Sequence, residues 1–171
     1  MELDDFKVRS DGAYPEIENA SNCPRTVDVL SELAFSREGE LTGILTYIYQ
    51  STITNKTSSD IAKVLEEIAV VEMTHLDMLM LAICDFGGNP KYKDAMGVPF
   101  SSNYINYQGK LKDMLQENIA NETEAIENYK RAIKLVENES LKKLFARIIL
   151  DEECHLRIFK YLLDSVQFLS C

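Results

Sequence analysis

Residues 68–79 read Ile-Ala-Val-Val-Glu-Met-Thr-His-Leu-Asp-Met-Leu, and residues 148–159 read Ile-Ile-Leu-Asp-Glu-Glu-Cys-His-Leu-Arg-Ile-Phe. Each stretch holds a glutamate followed three residues later by a histidine: Glu72 with His75, and Glu152 with His155. The chain has only 2 histidines, and both fall in this pattern. On a helix, residues three apart share a face, so each pair offers a carboxylate and an imidazole to one point. Both pairs sit inside apolar stripes, with Leu65, Ile68, Leu76 and Leu79 around the first and Phe145, Ile148, Leu156 and Phe159 around the second.

Working outward, the same period recurs over most of the chain. From Thr26 to about Ile53, Leu33, Glu40, Ile44 and Tyr47 fall on one face. The run Asn55–Asp60 reads as a turn, with Ser58 or Ser59 as the cap of a second helix ending at Phe86, where Gly87-Gly88-Asn89-Pro90 stops it. Residues 89–107 carry no helical period. A third helix is expected from Gln108 to Glu137, striped by Leu115, Ile119, Glu122, Ile126, Tyr129 and Ile133. Asn138-Glu139-Ser140 breaks it, and a fourth follows to about Phe168. No alternating strand pattern competes. The expectation is an all-α protein: an irregular lead-in over residues 1–25, then a four-helix bundle over 26–171 with one long crossover between helices 2 and 3.

The halves echo each other. Glu40 and Tyr47 recur as Glu122 and Tyr129, and Glu72 and His75 recur as Glu152 and His155, as in a duplicated helical hairpin. Four carboxylates, Glu40, Glu72, Glu122 and Glu152, thus stand in core-facing stripes. An isolated buried carboxylate is costly, and four together repel one another. A pair of divalent cations neutralises them, and His75 and His155 complete the donor set.

Composition narrows the function. The net charge of −10 repels phosphate, so a nucleic-acid partner is not expected. No run of 18 or more apolar residues exists, so no membrane span is expected. The opening Met-Glu-Leu-Asp-Asp-Phe-Lys is acidic where an export signal is basic, and the expected location is the cytoplasm. Cys23, Cys84, Cys154 and Cys171 form no CxxC pair and read as free thiols.

The ordered set Glu40, Glu72/His75, Glu122, Glu152/His155 resembles the ferritin-like dimetal carboxylate superfamily over about residues 30–165. Gly39-Glu40 through Tyr47-Ile48-Tyr49-Gln50-Ser51 is similar to the first metal-binding helix of manganese catalases. The chain is also similar to catalase-like spore-coat proteins and to the ferritin-like part of rubrerythrins. The resemblance implies Glu72 and Glu122 as bridging carboxylates, Glu40 as a terminal ligand, and His75 and His155 as terminal nitrogen ligands. It leaves Glu152 either a ligand, as in di-iron members, or an acid/base group, as in manganese catalases. Two features depart from rubrerythrins: Ala125 stands where they carry a further ligand, and no rubredoxin-type cysteine set is present. Ferritin cages usually have a fifth short helix, for which little chain remains after Phe168, so mineral storage is the weaker expectation.

Tyr47 and Tyr129 each lie two turns beyond a ligand glutamate, where a phenol can hydrogen-bond a ligand carboxylate. An ordinary core tyrosine is the alternative. Met73 sits as in the Glu-Met-x-His-x-Asp stretch of bacterioferritins, where the methionine binds haem. A helical methionine is more often packing, and haem is not expected here. Cys154 points away from the metal face and reads as an inert buried thiol. Lys130, Arg131 and Lys134 read as a solvated helix face.

The expected function is an oxidoreductase acting on hydrogen peroxide or O2 at two iron or manganese ions, with Glu152 or Glu153 as proton carrier. A possible external electron donor and a homo-oligomeric state accompany it. The alternatives are a ferroxidase or iron-storage protein, and a coat or interaction protein with a structural dimetal site. Carboxylates with two imidazoles suit both metals, so residue types do not choose between them.

Overall fold

The computed structural model describes residues 6–168; Met1–Asp5 and Cys171 of the reading above lie outside them. Among the described residues five α-helices follow one another: α1 Pro24–Phe35, α2 Glu40–Thr54, α3 Ser59–Asp85, α4 Leu111–Leu135 and α5 Glu139–Phe168. Among the described residues there is no β-strand, only an isolated bridge between Lys93 and Pro99. Helices α2 to α5 form the bundle.

The single helix expected over Thr26–Ile53 is two. Ser36 leaves α1 in an extended conformation, and Gly39 starts α2. The backbone folds back so tightly that a Cβ on Gly39 would lie 2.7 Å from the Leu33 carbonyl oxygen. The Ser36 carbonyl accepts the Gly39 N–H and Thr42 Oγ1, each at 3.1 Å. Hydrophobic period alone misses the interruption because Leu33 and Ile44 remain buried in one core on either side of it. Both pieces run along the same neighbour. The start of α1 meets the end of α3 through Cys23 N–H donating to Phe86 O, and α2 meets the start of α3 through Ser51 Oγ donating to Ala62 O.

The other boundaries have local causes. Helix α3 ends in a Schellman arrangement: Gly87 N–H donates to Cys84 O and Gly88 N–H to Ile83 O, with Gly87 at φ +83°. Asn138 caps α5, its Oδ1 accepting the Leu141 N–H at 2.9 Å. The crossover from α3 to α4 is irregular apart from the bridge and a 3₁₀ turn at Ser102–Tyr104.

The interior holds two apolar clusters. One joins α1 to the second half of α3, the second half of α4 and the start of α5 (Leu30, Phe35, Leu79, Ile83, Ile126 and Phe145 among them). The other joins α2 to the first halves of α3 and α4 and the later part of α5 (Tyr47, Leu65, Ile68, Leu115, Phe159). On α3, Ala69 belongs to one and Leu76 to the other; on α5, Ile149 and Ile158 do the same. Between them lies a polar layer.

Candidate metal centre

That layer contains all six donors singled out in the sequence. Glu40 opens α2, Glu72 and His75 lie mid-α3, Glu122 mid-α4, and Glu152 and His155 mid-α5. None is more than 7% exposed. They form two overlapping groups of four, Glu40–Glu72–His75–Glu152 and Glu72–Glu122–Glu152–His155, whose donor atoms within each group all lie within 4.8 Å of one another.

Glu72 and Glu152 belong to both groups. Glu72 presents Oε2 to His75 Nδ1 and Oε1 to His155 Nδ1, each at 3.1 Å. Glu152 presents Oε1 to His75 Nδ1 and Oε2 to His155 Nδ1, each at 3.2 Å. Glu40 faces only His75, at 3.6 Å, and Glu122 only His155, at 3.9 Å. The bridging pair that the resemblance implies is Glu72 and Glu122; the carboxylates that stand between the two imidazoles are Glu72 and Glu152. The two ExxH helices face each other, so the carboxylates lying between the imidazoles are the two that those helices carry. Glu153 stands on the solvent face of α5 and is not part of the cluster.

The two phenols cross the bundle. Tyr47 on α2 donates to Glu122 Oε1 on α4, and Tyr129 on α4 donates to Glu40 Oε1 on α2. Each therefore holds the glutamate of the opposite helix. Burial and the neighbouring carboxylates push both phenols well above their ordinary pKa. Beside them, Gln50 and Asn118 exchange two amide hydrogen bonds at 3.0 and 2.7 Å.

The charges are resolved unevenly. Burial, then repulsion from Glu72, holds Glu40 well above the carboxylate range, and burial with Glu152 and Glu72 does the same to Glu122. Burial also opposes ionisation of Glu72 and Glu152, but the imidazole contacts outweigh it and both are lowered. Burial works against charge on His75 and His155, yet the carboxylates around them raise both. These directions all favour added positive charge in the cluster, which protons or divalent cations supply.

The sequence reading missed what lies behind His75. Its Nε2 is 3.1 Å from Asp151 Oδ2. Asp151 is fully buried and also accepts from Tyr14 Oη, Ser10 N–H and Arg147 Nη1, each at 2.7 Å. Arg147 Nη2 donates onward to Ser10 O, and its guanidinium sits over the Tyr14 ring at 4.5 Å. The lead-in is therefore a strap fastened to α5, with Tyr14 meeting His75 edge-on at 6.0 Å. The available signal was Asp151 itself, directly before an ExxH. Nothing local marks Ser10 or Tyr14, which are 141 and 137 residues away from it.

His155 is treated differently. Its Nε2 is buried, with no hydrogen-bond partner among the described residues. In the repeat, the position matching Asp151 is Val71.

A cavity of about 430 Å³ reaches the cluster from the α2/α4 side. Glu40, Glu72, Glu122 and Glu152 line its floor, Gly43, Ala125, Tyr47 and Tyr129 its walls, and Asn103–Gln108 of the crossover its rim. Met73 is half-exposed on the outer surface of α3. Cys154 is buried, and its thiol is raised by that burial. Cys23, Cys84 and Cys154 are free. Lys130, Arg131 and Lys134 are exposed. No helix among the described residues is long and apolar enough to cross a membrane.

Four carboxylates and two imidazoles, converging with their Nδ1 atoms inward, fit a dimetal site; iron and manganese both suit the donor set. A family model described as rubrerythrin matches residues 32–163. No curated protein matches the sequence significantly. Among solved structures, a manganese catalase from Anabaena is similar with a TM-score of 0.83 at 26% identity, covering 92% of this chain and 80% of that one. A bacterioferritin from Desulfovibrio desulfuricans, described as having a diiron site, is similar with a TM-score of 0.73 at 22% identity, covering 84% and 81%. A bacterioferritin from Rhodobacter capsulatus gives 0.71 at 22%, covering 87% and 89%. These neighbours share the ferritin-like helical bundle.

Proposed function

This chain belongs to the rubrerythrin family, and from that premise we propose that it is a dimetal oxidoreductase that removes hydrogen peroxide. The observation that carries the reading is the pair of overlapping donor groups sharing Glu72 and Glu152 at the floor of an accessible cavity. The likeness to a manganese catalase over 92% of the chain supports it.

Two iron or manganese ions, when bound, supply the two-electron chemistry. The chain's residues do the rest. Glu40 with His75 would hold one ion and Glu122 with His155 the other, and Glu72 and Glu152, which belong to both donor groups, would serve both. Tyr47 and Tyr129 fix the outer carboxylates. The Tyr47 and Tyr129 phenols line the cavity and keep their protons, so they are the groups that would donate a hydrogen bond beside peroxide. The apolar clusters on either side confine water to that cavity. Reduction of peroxide to two waters takes two protons and two electrons; a second peroxide supplies the electrons in a catalase, an external donor in a peroxidase.

The test is peroxide consumption by protein loaded with manganese and, separately, with iron. Loaded wild type should consume peroxide and Glu122→Ala should not. Equal rates in both would exclude the enzyme and leave a structural metal site. Iron oxidation uses the same donors, and is distinguished by supplying Fe(II) with O2 and no peroxide. Ile48, Val70 and Met73 are exposed together in one groove between α2 and α3, which supports the homo-oligomer; sedimentation reads it directly.

A further inference from the structure

The repeat that builds the cluster is broken at one position, and the break falls behind the histidines. His75 has a carboxylate at Nε2 and His155 has nothing there among the described residues. Asp151 and its counterpart Val71 are both buried. The difference is therefore built into the interior and is not a matter of solvent.

It has a chemical consequence. An imidazole binds a metal through Nδ1 only when its remaining proton is on Nε2. At His75, Asp151 accepts that proton and turns Nδ1 toward Glu40, Glu72 and Glu152. Such a carboxylate partner also makes the imidazole a stronger donor. Glu72 and Glu152 oxygens stand 3.1 and 3.2 Å from Nδ1 at both histidines, so the difference lies at Nε2 alone, which at His155 has no partner among the described residues. A metal on Nδ1 of His155 leaves the Nε2–H buried without an acceptor, whereas at His75 Asp151 accepts it.

Asp151 is itself held in place. Tyr14, Ser10 and Arg147 each give it a hydrogen bond of 2.7 Å, and two of the three come from the strap of residues before α1. The strap covers the side of the cluster at α3 and α5, away from the cavity between α2 and α4.

We propose that the two metal positions are inequivalent and fill in order. The position bounded by Glu40, Glu72, His75 and Glu152 fills first, because Asp151, clamped by the N-terminal strap, holds His75 ready to bind. The position at His155 fills second. Asp151 and Tyr14 are positioning residues that act through His75. The inference rests on the dimetal reading but is independent of peroxide chemistry.

The experiment is a Co(II) titration of the metal-free full-length chain, followed by calorimetry and by the visible absorption of the bound ion. Wild type should bind in two steps separated by tenfold or more. Glu40→Gln should remove the tight step and Glu122→Gln the weak one. Asp151→Asn should weaken the tight step by about 10- to 100-fold and leave the weak step unchanged. Tyr14→Phe keeps the ring over Arg147 and loses only the phenol bond to Asp151; it should act in the same direction with a smaller effect, so the result does not depend on Asp151→Asn folding. Two indistinguishable steps in wild type would overturn the proposal while leaving the dimetal reading intact. So would a loss shared equally by both steps in Asp151→Asn and Tyr14→Phe, which is what a merely structural role produces. No binding at all by wild type would overturn both.

Discussion

Tyr129, on α4, gives its phenolic hydrogen to Oε1 of Glu40, the first residue of α2. Glu40 sits at a helix start, where the chain has just turned at Gly39, and the phenol ties its carboxylate to the opposite side of the bundle. Tyr47 does the same for Glu122 in the mirrored half. Tyr129→Phe leaves a buried carboxylate oxygen without its donor at a cost of about 1–3 kcal/mol. Chemical denaturation of the metal-free variant should show a loss in that range. Metal binding should weaken in the same variant, measured by equilibrium dialysis, because Glu40 is no longer aimed.

Metal removal should destabilise the fold. Ions that bind the folded chain at a hundred times their dissociation constant stabilise it by about 2.7 kcal/mol. For a domain of this size that corresponds to a fall in Tm of about 5–10 °C on chelation. Thermal melts with and without a chelator measure it, and restored manganese or iron should restore the Tm.

The pH dependence has a definite sign. In the metal-free chain His75 and His155 are raised, so their contribution to stability is fully present below the ordinary imidazole value and is lost as pH rises through the raised values. Glu40 and Glu122 are raised as well, so their burial becomes a growing penalty as pH climbs above the ordinary carboxylate range. Both effects make the metal-free fold weaken toward alkaline pH. Asp151 works at the acid end: burial opposes its charge, but the bonds from His75, Arg147 and Tyr14 lower it to about 2, and its contribution is lost as pH falls from about 4 toward 2. Metal affinity runs the other way. Ions displace the protons held at Glu40, Glu122, His75 and His155, so affinity should rise with pH. Calorimetry in two buffers of different ionisation heat should report net proton release, and melts across pH 5–9 should show a metal-dependent stabilisation that grows with pH.

Gly39→Ala should disturb the centre without touching a ligand. The added Cβ would meet the Leu33 carbonyl oxygen at 2.7 Å and the Ala34 carbonyl carbon at 2.9 Å, both backbone atoms that cannot swing away. The expected cost is about 1–3 kcal/mol. Because Glu40 is the next residue, tight metal binding should fall with it. A variant that melts lower but binds metal unchanged would show that the turn does not aim Glu40.

Much of this was readable in the chain itself. Each bundle helix carries a hydrophobic stripe, and on each stripe one glutamate stands where leucine or isoleucine would serve packing better. That conflict marks Glu40, Glu72, Glu122 and Glu152 without any coordinates, since no isolated core tolerates four such charges. The stop at Gly87 and the start at Ser58 are local signals and fall where expected, whereas α4 runs Leu111–Leu135 rather than Gln108–Glu137 and α5 already begins at Glu139, inside the expected break. The break at Ser36–Gly39 was not legible, because the apolar period continues across it and only the close approach of two backbones rules out a side chain at Gly39.

The sequence by itself determined the helical segments apart from the break at Ser36–Gly39, their apolar faces and the six candidate donors, because each depends on spacing along one chain segment and on the cost of burying charge. Only the tertiary structure decided which carboxylates stand between the imidazoles, which glutamate each phenol holds, and that the segment before α1 fastens Asp151 behind His75. Those relations join residues as far apart as Ser10 and Asp151, 141 positions along the chain. Distance along a sequence says nothing about them; the packing of helices against one another and of the strap against α5 does.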